Sequence, residues 1–238
     1  MKQSVSRAPA RKPTKLRILD SSERLFAAGG YEGVSLRDIA RDAQVKVALV
    51  SYHFGPKQDL FRHVIERRSA EHASRVLAAL EHEERAAPAG IPTLERIIHA
   101  FCSGSFELAR LPDAGWKHYL QLIARSAMSP VNTPALKPLN GAYGPVVRRY
   151  CEALRAAAPE LRDAELHTAF YWIQSIVQRM VAETGILDRQ SRGLCRSGDY
   201  DGHLARLVPF ATAGIRALSA PPAPRAKTTR GAPRRAAR

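Results

Sequence analysis

Residues 43–61 read "AQVKVALVSYHFGPKQDLF", and this stretch decides the fold. An apolar run (Val45, Val47, Ala48, Leu49, Val50) passes directly into Ser51, Tyr52 and His53, and Gly55-Pro56 then interrupts the chain ahead of Lys57. The pattern predicts a short helix over about 46–53, entered through a turn at Gln44-Val45 and left at the Gly-Pro break. Working backwards, Ser35 is placed to cap a second short helix, with Asp38 three residues on in a capping-box position and Leu36, Ile39, Ala40 and Ala43 as its buried stripe. A first helix over about 15–28 places Ile18, Leu19, Ser22, Leu25 and Phe26 on one face, and Gly29-Gly30 ends it. Working forwards, Pro56 suits the first turn of a long fourth helix. That helix carries Leu60, Phe61, Val64, Ile65, Val76, Leu77 and Leu80 and ends near Arg85.

Beyond "AAPAGIP" at 86–92 the helical period persists, with helices expected at about 93–110, 116–128, 134–157, 163–184 and 200–218. Pro112, Gly115, Pro130, Pro134, Pro159 and the polar run "DRQSRG" separate them, and Pro138 and Pro145 predict an irregular start to the 134–157 segment. No alternating strand pattern of useful length occurs. The expected fold is all-α: a three-helix N-terminal domain over residues 12–72, then a helical domain over 73–220, about nine helices in total. Residues 1–14 and the Pro/Ala/Arg-rich residues 221–238 read as basic disordered segments.

The formal net charge of +15 is unevenly placed. The excess is +7 over residues 1–70 and +6 over 221–238, leaving +2 for everything between. A basic headpiece on a nearly neutral body is the footprint of a polyanion-binding protein. The C-terminal tail alone reads more simply as a solubility feature. Cys102, Cys151 and Cys195 form no CxxC, so no disulfide framework is implied and the cytoplasm is the expected compartment. No apolar run reaches the length of a membrane span. No GxSxG, GxxxxGK[ST] or HExxH motif occurs, and no cofactor or metal site is expected. His63, His72, His82, His99, His118 and His167 show no i, i+4 pair and read as surface or interface histidines.

Two short helices joined by a tight turn, behind a third, form a helix-turn-helix pattern. Its second helix must be slim to enter a major groove, and Val47, Ala48 and Leu49 meet that need; small apolar groups can also contact thymine methyls. Tyr52, His53 and Lys57 supply donors for phosphates, and Ser35 offers the positive end of the second helix. Of Leu49 and Val50 one must face the headpiece core, and Val50 fits that position better. His53 fits either a phosphate contact or a helix-end cap.

The stretch "LFAAGGYEGVSLRDIARDAQVKVALVSYHFGPKQDLF" resembles the DNA-binding domain of TetR-family transcriptional regulators. The carriers are Leu25-Phe26, Gly30-Tyr31, Ser35, Ile39-Ala40, Ala43, Val45, Tyr52-His53-Phe54, Lys57 and Leu60, all in register. The resemblance implies a homodimer on a pseudo-palindromic double-stranded DNA operator, released when a small effector binds a divergent C-terminal domain, and a repressor before an activator. At matching positions Val47, Ala48 and Leu49 would face bases, Tyr52, His53 and Lys57 the backbone, and Lys46 either; Ser35 and Ser51 complete the candidate DNA-binding residues. Three positions depart from the family pattern. Gln44 stands where Gly is usual and must tolerate positive φ or redirect the turn. Lys46 replaces a Ser/Thr cap, and Ser51 replaces an aromatic.

Residues 115–130 ("GWKHYLQLIARSAMSP") and 158–185 are similar, more loosely, to the fatty-acid-responsive branch of the family. An apolar or amphipathic effector, an acyl derivative among the options, is the corresponding expectation. Phe101, Phe106, Trp116, Tyr119, Phe170 and Tyr171 are the candidate pocket aromatics, although an aromatic stripe at helical spacing is more often plain core. The last two helices are apolar on more than one face, which implies a partner. Ile173, Ile176, Val177, Met180, Leu207 and Phe210 are the candidate dimer residues. The rival readings are a sequence-tolerant DNA-packaging protein in the nucleoid and an enzyme with its active site in the C-terminal bundle.

Overall fold

The computed structural model describes residues 12–128 and 133–218. Most of the two basic terminal segments therefore lies outside the described residues. Ten α-helices and two 3-10 turns, with no strand, make up the regular structure among the described residues. α1 (Thr14–Gly29) starts after Pro13 and stops at Gly30, whose φ of 73° lets its N–H close on Phe26 O. α2 (Leu36–Asp42) begins with the expected capping box: Asp38 N donates to Ser35 Oγ, and Ser35 N donates back to the Asp38 carboxylate. α3 (Val47–Phe54) follows a four-residue turn, and its N-cap Lys46 makes no capping hydrogen bond with its side chain.

Gln44 at that turn has a φ of 54°, in the left-handed region that glycine enters without a steric penalty. Arg17 of α1 holds the strained turn in place: its Nη2 donates to Ala43 O and, at 2.7 Å, to Gln44 O.

α4 (Lys57–Ala86) runs for 30 residues and crosses the expected domain boundary at 72/73 without a break. Its first half packs into the headpiece core through Leu60, Phe61, Val64 and Ile65, with Phe26 and Phe61 edge to face at 4.9 Å. Its second half enters the C-terminal core through Ala73, Val76 and Leu80. The headpiece core also takes in Leu122, Ala135 and Leu136 from beyond the boundary, so the two domains share packing.

A 3-10 turn at Pro88–Gly90 leads to α5 (Leu94–Arg110), capped by Thr93, and then to α6 (Ala114–Ser126), capped by Asp113. After the second 3-10 turn (Pro134–Leu136) comes α7 (Lys137–Ala157), which takes Pro138 in its first turn and continues through Pro145, so the irregular start expected of the 134–157 segment is confined to the 3-10 turn. α8 (Asp163–Val181) and α10 (Tyr200–Leu218) flank a short helix, α9 (Ile186–Gln190). The sequence pattern marks only a break at that place. A five-residue helix shows too little periodicity to stand out, and Gly185 (φ 68°) and Gly193 (φ 83°) bracket it as turn residues would. α10 also continues through Pro209.

Candidate nucleic-acid interface and ligand cavity

α3 is split cleanly between two surroundings. Val50 and Phe54 are buried beneath it, while Val47 (44% exposed), Ala48, Leu49 (39%), Ser51 and Tyr52 (82%) face outward. Exposing large apolar side chains in succession costs the isolated protein hydrophobic stabilisation, which points to a surface that meets a partner. The turn to α3 is held from behind by Arg17, so this face is presented on a fixed support.

The flanking donors are less free than their residue types imply. Lys57 is half-buried at the start of α4, with its Nζ 4.4 Å from the centre of the Tyr31 ring. His53 is half-buried and sits edge-on to Tyr52. The Ser35 hydroxyl donates to Asp38 Oδ2 at 2.6 Å and accepts from Asp38 N, so it is spent on its own helix. The Asp38 carboxylate sits at the same α2 amino terminus, where Ser35 serves as the cap. Lys46 is exposed.

A cavity of about 530 Å3 lies between α4, α5, α6, α7 and α8 in the C-terminal bundle. Its apolar walls come from Val76, Phe101, Leu120, Ile123, Leu136, Leu139, Val146, Val147, Val177 and Val181. Its polar side consists of His72, Ser105, Ser126, Asn140, Tyr143, Gln174 and Gln178. His72 is 3% exposed and hydrogen-bonded on both ring nitrogens: Nε2 to Ser105 Oγ at 3.0 Å and Nδ1 to the Tyr143 hydroxyl. The Tyr143 hydroxyl also meets that of Tyr119 at 3.0 Å. Burial lowers the His72 pKa to about 4, and the buried Tyr119 and Tyr143 hydroxyls are pushed up, so the chain of groups is uncharged at neutral pH.

Of the six aromatics expected around a pocket, only Phe101 lines this cavity. Phe106, Trp116, Tyr119 and Phe170 are core: Phe106 stacks on Tyr200, Phe170 on Tyr150, and Trp116 meets Tyr119 edge to face. Tyr171 is 66% exposed and borders a groove outside the cavity. The polar cavity residues escaped the sequence reading, and His72 in particular corrects its assignment as a surface histidine. The available signal was position. His72 lies four residues before Val76 and seven after Ile65, on the apolar stripe of α4.

The candidate dimer residues also divide. Ile173, Val177 and Leu207 are buried within the protomer, Ile176 and Met180 are half-buried, and Phe210 is 70% exposed. Trp172, next to Ile173 on α8, is 51% exposed. The surplus apolarity of α8 and α10 therefore goes mostly inward, α10 against α5 and α8 against α6, with the two helices also in contact with each other.

An ion cluster ties the headpiece to the bundle. Glu23 of α1, 2% exposed, accepts from Arg68 Nε at 2.8 Å, and Arg68 Nη1 reaches Asp113 at 3.0 Å. The Arg68 guanidinium lies 4.8 Å from the Trp116 ring, and a Cβ on Gly115 would come within 2.0 Å of it. Burial pushes the Glu23 carboxyl up, against the pull of Arg68 and Arg67. On the other side of the interface, Arg125 Nε of α6 donates to Ala27 O of α1 at 3.2 Å.

Two family models match. "Bacterial regulatory proteins, tetR family" covers residues 18–64, and "Tetracyclin repressor-like, C-terminal domain" covers 99–214. Over 52 residues, 22% of this chain, it is 42% identical to the probable HTH-type transcriptional regulator YttP of Bacillus subtilis (25% of that protein). Over the same length and share it is 35% identical to the biofilm operon icaADBC HTH-type negative transcriptional regulator IcaR of Staphylococcus epidermidis (28% of that protein). The match thus spans about a quarter of the length of these curated relatives. The fold is similar to that of the transcriptional regulator FadR from Bacillus subtilis in complex with stearoyl-CoA, with a TM-score of 0.57 at 15% identity over 84% of this chain and 98% of that one.

Proposed function

We infer, from the premise that the chain belongs to the TetR family of bacterial regulatory proteins, that it is a ligand-responsive DNA-binding transcriptional regulator acting as a repressor. The observation that carries the reading is α3 itself, whose Val47, Leu49 and Tyr52 stand exposed above a buried Val50 and Phe54. In a major groove Val47, Ala48 and Leu49 contact base edges, while Tyr52, His53, Lys57 and Lys46 hold the flanking phosphates. The relative named as a negative regulator supports repression.

The functional unit is a homodimer on a pseudo-palindromic operator in the cytoplasm. Trp172 and Phe210, exposed on the packed pair α8 and α10, support that pair as the dimer face. The effector is a small apolar or acyl-type molecule in the bundle cavity. A regulator of the same fold seen in complex with stearoyl-CoA supports an aliphatic ligand, and about 530 Å3 lies within the range of small-molecule sites.

Selection of bound sequences from a random DNA pool at physiological salt tests the reading. A two-fold-related consensus with half-sites about one helical turn apart is expected. Random DNA competing as well as the selected site would overturn it in favour of sequence-tolerant packaging.

A further inference from the structure

We propose that the bundle cavity is built for an uncharged effector, such as a medium-chain alcohol, ester or lactone, and rejects a carboxylate of the same length. The inference rests on the reading of this cavity as the effector site. No Lys, Arg, Asp or Glu lines the cavity among the described residues. A carboxylate brought inside would lose its water without gaining a cation, and an unpaired buried charge is far costlier than an unpaired neutral polar group.

The one lining group able to become a cation is His72. Its two nitrogens are already engaged by Ser105 and Tyr143, and burial keeps it neutral. A hydroxyl or carbonyl, by contrast, finds groups that can both donate and accept in the Gln174 and Gln178 amides, one turn apart on α8, while the Tyr143 hydroxyl is already engaged by His72 and Tyr119. The apolar remainder of the ligand lies against Val76, Phe101, Val147 and Val177.

Charge is present nearby, but outside. The neighbouring groove, which shares Gln174 and Gln178 with the cavity, contains Arg125, Arg179 and Glu183. Arg125 donates its Nε–H to Ala27 O, Glu183 pairs with Lys117 Nζ at 2.5 Å, and Arg179 is exposed, so these charges lie in the groove and not on the cavity wall. A neutral amphiphile of medium length satisfies the cavity without calling on that groove.

Titration calorimetry of the full chain at pH 7.4 with 1-decanol, decanoate and decanoyl-CoA decides the matter. Decanol is expected to bind at least about tenfold more tightly than the other two. The Gln178→Arg variant, which places a cation on the cavity wall, is expected to reverse that order toward decanoate. Decanoate or decanoyl-CoA binding the unaltered protein as well as decanol would overturn the proposal and leave the cavity as the effector site. Failure of all three to bind, in a protein that still selects a DNA consensus, would overturn both the proposal and the effector-site reading while the DNA-binding reading stands.

Discussion

Val47 and Lys57 illustrate two ways a side chain can serve a DNA interface, and the structure separates them. Val47 is exposed near the start of α3, where a groove-binding helix touches bases. Lys57 opens α4 with its ammonium lying on Tyr31, and in the proposed reading it holds the DNA backbone. Lys57→Ala should therefore weaken binding about equally for all sequences and lower the salt slope by about 1. Val47→Ala should change the selected consensus more than the affinity. Binding-site selection and salt titration of both variants check the pair, and an unchanged profile for Val47→Ala would remove it from the base readers. The division of α3 was legible in the sequence, where Val50 fits the core side and Val47 the outer one, as their burial now has it. His72 was not legible from residue type, since a histidine letter carries no record of burial; only its place on the apolar stripe of α4 marks it. Its folded pKa, lowered to about 4, lies below the ordinary 6.5, so between those values the unfolded chain binds more protons. Stability is full above about pH 6.5 and is lost as pH falls toward 4, with a His72 share of about 2 kcal/mol at pH 5. Urea denaturation at pH 7 and pH 5 should show that loss shrinking in His72→Gln; an equal loss in both proteins would remove His72 as its source.

The turn between α2 and α3 is one the sequence marks by position and then fills with an unusual residue. Gln44 accepts a φ of 54° because Arg17 secures the carbonyls on either side of the Gln44 N–Cα unit, Ala43 O and Gln44 O. A non-glycine residue in that conformation costs about 1 kcal/mol or more. Gln44→Gly relieves the strain but loosens the unfolded chain, leaving a net gain of about 0.5 kcal/mol. Arg17→Ala should cost about 1–2 kcal/mol by removing two charge-assisted bonds. Thermal and urea denaturation would register both, and destabilisation by Gln44→Gly would mean that Gln44 makes a contact worth more than the strain. At the far end of the chain, α8 and α10 show what periodicity cannot resolve. A helix apolar on two faces reads the same whether the second face meets a neighbour in the protomer or a second copy. Here Ile173, Val177 and Leu207 turn inward, and Trp172 and Phe210 outward. Phe210→Glu should leave the monomer folded and shift the dimer toward monomer by at least about tenfold, because a charge in the core of an interface is rarely matched. Sedimentation equilibrium measures the shift, and an unchanged dimer would move the interface off this face.

The contacts of α6 join the cavity to the headpiece. One side of that helix gives Leu120, Ile123 and Ser126 to the cavity, while Leu122 joins the headpiece core and Arg125 bonds the end of α1 at Ala27. A ligand that displaces α6 must therefore pull on α1, which in turn holds the α3 turn through Arg17. The Glu23–Arg68–Asp113 cluster reinforces the same contact from the side. Breaking that cluster is a poor probe, since removing Arg68 strands a buried carboxylate at a cost of about 3–5 kcal/mol and threatens the fold. Arg125→Ala is the sharper one. It deletes a partly exposed hydrogen bond worth about 1 kcal/mol and touches neither the wall of the cavity nor the outward face of α3. DNA affinity without effector and effector affinity without DNA should each stay within about threefold of the unaltered protein. The factor by which effector weakens DNA binding should fall several-fold, and by linkage the factor by which DNA weakens effector binding should fall equally. Measuring all four affinities closes the cycle. An unchanged coupling factor would place the path elsewhere, with the Glu23 cluster the next contact to carry it.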